Sequence, residues 1–202
     1  MKRVAVLASG RGSNLGALIA AQSLFPSYRV TVALSNVHSS GALALAAHAG
    51  VEALCVSGRG LAREVHEGML LDALRARSID IVCLAGYMRV LTSTFIDGVK
   101  RPILNIHPSL LPAFPGMHAQ HQAVEAGVRW SGATVHFVDS GLDSGPILLQ
   151  EPVPVLPDDT EYELAARILE VEHRLYPQAV DIVACDAYEI LGRVVRLRPS
   201  KS

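Results

Sequence analysis

Short apolar runs alternate with helix-like stretches through the first hundred residues, and this alternation constrains the chain more than any other feature. Val4 to Ala8 is an apolar run closed by Ser9-Gly-Arg-Gly-Ser13, and a helical stretch follows from Asn14 to about Leu24. Arg29 to Leu34 reads as a second strand ending at Ser35 and Asn36, with a helix from about Gly41 to Ala49 and a strand around Glu52 to Val56 behind it. Leu61 to Arg77 is expected to be an amphipathic helix that turns Leu61, Val65, Met69 (or Leu70) and Leu74 to the core. Ile79 to Ala85 is continuously apolar, as a strand buried on both faces should be. A short helix near Ser93 to Gly98 leads to the strand Ile103 to Ile106. Repeated strand, helix, strand predicts an α/β fold: an open, mostly parallel, twisted sheet with helices on both faces and right-handed crossovers.

The second half changes character. Ala133 to Asp139 and Pro146 to Val155 are strand-like runs separated by a loop too short for a crossover helix, so they are expected to pair as an antiparallel extension of the sheet. Pro152, Pro154 and Pro157 suit a strand leaving at an edge. Asp158 to Thr160 caps a long helix from about Glu161, which Pro177 is expected to kink or interrupt. Ala187 to Arg198 reads as two short strands around Leu191 and Gly192. A chain of 202 residues, half of them apolar, can bury one full core, and one domain over residues 1–202 is expected.

Net charge is close to −1 with no block of like charges, which argues against a nucleic-acid groove but leaves a local anion site open, because backbone amides hold phosphate without net charge. The three cysteines form no CxxC pair, so neither a zinc site nor a disulfide scaffold is suggested. The apolar run at the N-terminus is too short for a signal peptide, and no stretch approaches a membrane span. The expectation is therefore a cytoplasmic protein, monomer or homodimer, acting on small molecules without a membrane or nucleic-acid partner.

Ser9-Gly-Arg-Gly-Ser-Asn14 joins the first strand to the first helix. Backbone N–H groups and the helix dipole converge there, and Ser13 and Asn14 can add side-chain donors beside Gly12. A dinucleotide fingerprint is not met: Leu15 occupies the third glycine position, and the second strand ends in Asn36 where a ribose-binding carboxylate is needed. No Gly-Lys-Ser/Thr follows, which removes the Walker loop. Taken alone, the loop fits a tight structural turn as well as an anion site.

Asn105 and His107 are two residues apart at a strand end and point to the same side. Such a polar pair in an apolar strand needs partners or a task, although tying down a loop would also satisfy it. Val138-Asp-Ser-Gly-Leu-Asp-Ser-Gly-Pro146 is a glycine-rich loop carrying Asp139 and Asp143. A carboxylate brought beside His107 would favour the protonated imidazole, and an imidazolium with an amide donor can stabilise an oxyanion and relay a proton.

Asn105-Ile-His-Pro-Ser-Leu-Leu-Pro112, with Asp143 in its Leu-Asp-x-Gly-like loop, closely resembles the signature of the folate-dependent formyltransferases. Ser9 to Asn14, Leu84-Ala-Gly-Tyr-Met-Arg89 and the segment through Glu172 and Pro177 match the same family in order. The resemblance implies a Rossmann-like formyltransferase fold, with residues 1–100 as the phosphate and substrate half and residues 101–202 as the catalytic and folate half. It implies direct formyl transfer from 10-formyltetrahydrofolate to the amine of glycinamide ribonucleotide in purine biosynthesis, without a metal. By the same resemblance His107 is the general acid, Asn105 holds the oxyanion and Asp143 sets the histidine's protonation. Gly12, Ser13 and Asn14 then hold the substrate phosphate, and Leu169, Glu170, Val171 and Glu172 approach its ribose and glycinamide. Met88, Arg89, Val90 and Leu91 read the pterin, Asp139, Ser140, Gly141, Leu142 and Asp143 close over it together with Asn105, and Arg63 stands near the donor. Ala113 and Ser144 depart from the family pattern without removing a catalytic group. Ser109 and the cysteines have no base-and-orienter arrangement for a covalent step.

Two other readings are a formyltetrahydrofolate hydrolase, which predicts an extra regulatory domain and no phosphate loop, and a catalytically silent nucleotide- or folate-binding module. Among the remaining histidines, His118 and His121 have a metal-like spacing but no third ligand. His136 either faces the reaction centre or is a satisfied core histidine. His173 is expected to pack or cap, and His38, His48 and His66 to lie on the surface.

Overall fold

A computed structural model describes residues 1–199. Strands β1 (Lys2–Leu7), β2 (Tyr28–Ser35), β3 (Glu52–Cys55), β4 (Ile81–Leu84) and β5 (Ile103–His107) alternate with helices α1 (Ser13–Ala20), α2 (Gly41–His48), α3 (Arg63–Ala76) and α4 (Ser93–Val99). A short helix α5 (Ala119–Glu125) precedes the antiparallel strands β6 (Trp130–Phe137) and β7 (Ile147–Pro154). Helix α6 (Glu161–Ala184) and the hairpin β8 (Tyr188–Leu191) and β9 (Val194–Leu197) complete the described chain. The sheet order is β3-β2-β1-β4-β5-β6-β7-β9-β8, parallel from β3 to β5. The expected architecture, antiparallel extension included, is the one observed.

Period-two alternation divides the core. Val4, Val6 and Ala8 face a layer made by α1, α2, α5 and α6, whereas Ala5 and Leu7 face a second layer with Leu70 and Leu74 of α3 and Phe95 of α4. Tyr176, fully buried on α6, donates its hydroxyl to the carbonyls of Leu84 (2.9 Å) and Leu104 (3.0 Å), fastening the helix across adjacent strands. Thr160 caps α6 in a reciprocal box with Glu163, as acidic first-turn residues favour.

Three expectations need correction. On α3 the buried face is His66, Glu67, Leu70 and Leu74, while Leu61, Val65 and Met69 are exposed. Either set fits a helical period; the register was decided by the polar pair His66 and Glu67 finding partners beneath the helix, where His66 Nε2 donates to the Val56 carbonyl at 2.9 Å. His66 is thus buried, not a surface residue. Pro177 does not interrupt α6, which runs on to Ala184 with Pro177 packed in the core. Among the described residues no helix is long and apolar enough to cross a membrane.

Strand order reverses between β1 and β4, and register aligns Leu7, Leu84, Asn105 and His136 as one row across four strands. The loops after β1 and β4 leave the sheet just beyond that row, where open α/β sheets bind ligands.

Candidate active site

Asn105 and His107 share a face of β5 with their ladder partners His136 and Thr134 on β6, opposite the layer that receives Leu104, Ile106, Val135 and Phe137. The loop after β6 folds back over this polar face. It brings Asp143, with a left-handed φ of 47°, to within 3.4 Å of His107 Nδ1 through Oδ2. The same oxygen accepts the Gly116 N–H at 2.8 Å, and Oδ1 lies 3.5 Å from the Asn105 amide nitrogen and 3.7 Å from His136 Nε2.

Tautomers follow from these partners. His107 Nε2 lies 2.8 Å from the Phe114 carbonyl, which can only accept, so that nitrogen carries a proton. Nδ1 then faces the carboxylate, and a proton placed there is shared with Asp143. His136 Nδ1 donates to the Phe137 carbonyl at 2.9 Å, which leaves Nε2 to accept from the Asn105 amide at 3.1 Å. Burial pushes the His136 pKa down against the opposing pull of that carbonyl and of Asp143, so the ring is held neutral. His136 therefore orients Asn105 from behind. The sequence left its place open, since one histidine in a strand carries no signal of which face it occupies.

Thr134 anchors the β5 exit: its hydroxyl donates to Ser109 O (2.7 Å) and accepts from Leu111 N (3.1 Å). Ser109 in turn donates to Ala113 O, so this serine is structural. The backbone of Phe114 and Gly116 belongs to the site and was missed; a carbonyl and an N–H have no residue-type signature, and only Pro115-Gly116 marked a turn there. In the loop over the site, Asp139 Oδ1 accepts from Gly141 N (3.0 Å) and from the Ser144 hydroxyl (2.7 Å). Exposed Leu142 packs toward Gly116, Ser140 and Gly141 are exposed, and Ser144 thus ties the loop to itself.

Gly12 begins α1 with φ 84°, and among the described residues no side chain caps that helix, so its first N–H groups have no side-chain acceptor there. A Cβ on Gly12 would sit 2.6 Å from Ala42 Cα, so this glycine also lets the loop touch α2. Ser13 is exposed beside it, but Asn14 turns inward: its amide nitrogen donates to Glu172 Oε2 at 2.7 Å, and its buried Oδ1 has no partner among the described residues. Burial raises the Glu172 pKa, moderated by that hydrogen bond. Of the α6 residues expected near the substrate, Glu172 hydrogen-bonds to Asn14; Leu169 is half-buried, Glu170 is exposed and Val171 lies in the core.

Met88 and Val90 are exposed at the crevice, with Arg89 and Leu91 half-buried between and behind them. Arg63 is exposed in the first turn of α3 and, among the described residues, bonds to none of the site residues. His121 pairs with Glu125 and Glu161, and among the described residues no group of three His, Cys, Asp or Glu side chains could hold a metal.

A doubly covered sheet with Asn, His and Asp gathered where a glycine-rich loop opens onto its strand ends is the frame of an acyl-group transferase, and residues 2–180 match the formyl transferase family model, so the chain belongs to that family. Its relatives make the membership more particular. It is 47% identical over 185 residues to the trifunctional purine biosynthetic protein adenosine-3 of Drosophila melanogaster, covering 89% of this chain and 14% of that protein. It is 40% identical to phosphoribosylglycinamide formyltransferase of Mycobacterium tuberculosis (strain CDC 1551 / Oshkosh), covering 96% of this chain and 91% of the relative. Among solved structures, glycinamide ribonucleotide transformylase 1 from Symbiobacterium toebii superposes with a TM-score of 0.95 at 45% identity, covering 98% of this chain and 94% of that one. The chain thus spans a small part of the trifunctional relatives and nearly the whole of the bacterial ones.

Proposed function

We propose that this chain transfers a formyl group from 10-formyltetrahydrofolate to the amine of glycinamide ribonucleotide, a step of purine biosynthesis in the cytoplasm. The observation that supports the reading is the His107–Asp143–Asn105 cluster on β5, in register with the ends of β1 and β4, from which the chain leads to the uncapped α1 and to the Met88–Leu91 segment. The names of the bacterial relatives, matched over most of their length, support the same acceptor.

In this reading the acceptor phosphate rests on the N–H groups opened by Gly12, Ser13 and Asn14, and Glu172 meets its polar middle. The amine nitrogen attacks the formyl carbon, and the oxyanion of the tetrahedral intermediate takes an Asn105 amide hydrogen that now points weakly at Asp143. The attacking amine sheds its extra proton to solvent, and collapse breaks the bond from the formyl carbon to the folate nitrogen, which takes up a proton. His107 supplies that proton as general acid. Its Nδ1 contact to Asp143, at 3.4 Å, is longer than its Nε2 contact to Phe114, and catalytic hydrogen bonds commonly tighten only with substrate present. Asp143, whose side chain is largely covered, steadies the imidazolium.

The test mixes purified protein with 10-formyltetrahydrofolate, with and without glycinamide ribonucleotide. Deformylation that requires the ribonucleotide and yields its formyl derivative is expected. Equal rates in both mixtures would overturn the transferase reading in favour of hydrolysis, and binding without turnover would leave a silent module.

A further inference from the structure

We propose that Glu67 is a positioning residue for the formyl donor, holding the Met88–Leu91 segment taut from behind; this rests on the reading of that segment as the pterin site. Glu67 is a carboxylate only 5% exposed, on the inner face of α3, and among the described residues it hydrogen-bonds to Thr92 and not to Asn105, His107 or Asp143. A buried carboxylate is costly unless hydrogen-bonded. Both oxygens of Glu67 go to one residue: Oε1 accepts the Thr92 N–H at 3.0 Å, and Oε2 accepts the Thr92 hydroxyl.

Thr92 does not need Glu67 in order to cap α4, since its hydroxyl oxygen accepts the Phe95 N–H at 3.1 Å by itself. What the paired contact adds is orientation of the Thr92 peptide, and so of the chain that enters it. The other end of the segment is clamped too. Met88 N–H donates to the Ser9 hydroxyl at 2.9 Å, Ser9 donates to Asn36 Oδ1 at 2.6 Å, and Ser9 N–H binds the Gly86 carbonyl at 3.0 Å.

Between the clamps the side chains alternate. Met88 and Val90 stand 69% and 66% exposed, while Arg89 turns back over Gly58, where a Cβ would collide with its guanidinium and with buried His66. The segment is outside any helix or strand, so its backbone donors and acceptors are not consumed by a ladder. A flat heterocycle read by such groups binds best when they are already in place, because ordering them on binding costs conformational entropy.

Glu67→Ala should raise the KM for 10-formyltetrahydrofolate about tenfold, as losing a charge-assisted contact does, with the glycinamide ribonucleotide KM and kcat changed by less than about twofold. The affinity for tetrahydrofolate, measured by calorimetry, should fall in parallel. Glu67→Gln keeps the shape and an acceptor for the Thr92 N–H, and should restore the donor KM to within about threefold of wild type. Thr92→Val, which removes the hydroxyl half of the clamp together with the α4 cap, serves if Glu67→Ala does not fold, and should show a smaller rise that is still confined to the donor KM. A variant with lowered thermal stability but an unchanged donor KM would overturn the proposal and leave Glu67 as packing between α3 and α4. Wild-type protein that fails to bind tetrahydrofolate would instead overturn the pterin reading, and the inference with it.

Discussion

Four groups from three segments surround the Asp143 carboxylate: the Gly116 N–H, the Asn105 amide and His107 of β5 and, more distantly, His136 of β6. Under the proposed roles, removing His107 costs chemistry more than binding, because its contacts run to Asp143 and Phe114 and not to the α1 loop. His107→Ala should lower kcat by about 10²- to 10⁴-fold, as loss of a general acid does, with glycinamide ribonucleotide affinity retained in calorimetry. Parallel loss of affinity would remove that division of roles. His136 gives a pH prediction. Burial holds its folded pKa below the ordinary 6.5, so as pH falls the unfolded chain takes up the proton first. The stability it contributes is complete above that ordinary value and lost as pH drops toward the folded one. The urea midpoint of wild type should therefore fall more steeply between about pH 8 and about pH 5 than that of His136→Gln. Equal slopes would place the proton elsewhere.

Among elements, the junction of β1, α1 and α2 carries two glycines with different duties. Gly12 has φ 84° and abuts Ala42, whereas a Cβ on Gly10 would meet nothing within 4 Å. Gly12→Ala should destabilise the protein by about 2 kcal/mol or more in chemical denaturation, from backbone strain and collision with α2 together. Gly10→Ala should stay within about 0.5 kcal/mol of wild type. If both are silent, the loop is looser than its packing indicates. The glycine spacing was legible in the sequence as a turn, but the reason for Gly12 was not, since Ala42 lies thirty residues away and only the fold sets it against the loop. The face of α3 was read correctly at Leu74 and in the Leu70 alternative, but misread at Leu61, Val65 and Met69, for a related reason. Leu61, Val65 and Met69 satisfy the helical period as well as His66, Glu67, Leu70 and Leu74 do, and periodicity cannot say which stripe finds partners.

Across the whole molecule, cohesion is uneven. The central strands β1 and β4 are flanked on both sides and covered by both core layers. The β8–β9 hairpin joins the sheet through the single Ile147 and Val194 register pair, with Tyr188 against Phe137 at 5.1 Å between ring centroids. Hydrogen–deuterium exchange should be slowest in β1 and β4 and fastest in the hairpin, because amide protection follows local burial and pairing. Protection of β9 equal to that of β4 would contradict this ranking.

Local chemistry written in the sequence determined the strand and helix order, the parallel half, the capping of α6 and the shared side of Asn105 and His107. These follow from periods of 2 and 3.6 residues and from the conformational preferences of Gly, Pro and Thr, which neighbours along the chain suffice to express. Only the tertiary structure decided that the loop after β6 folds back to set Asp143 beside His107, that His136 supports Asn105, and that Glu67 reaches Thr92. Those contacts join residues 25 to 38 positions apart through loops and packed faces, where the partner is chosen by what the fold brings near and no local period encodes it.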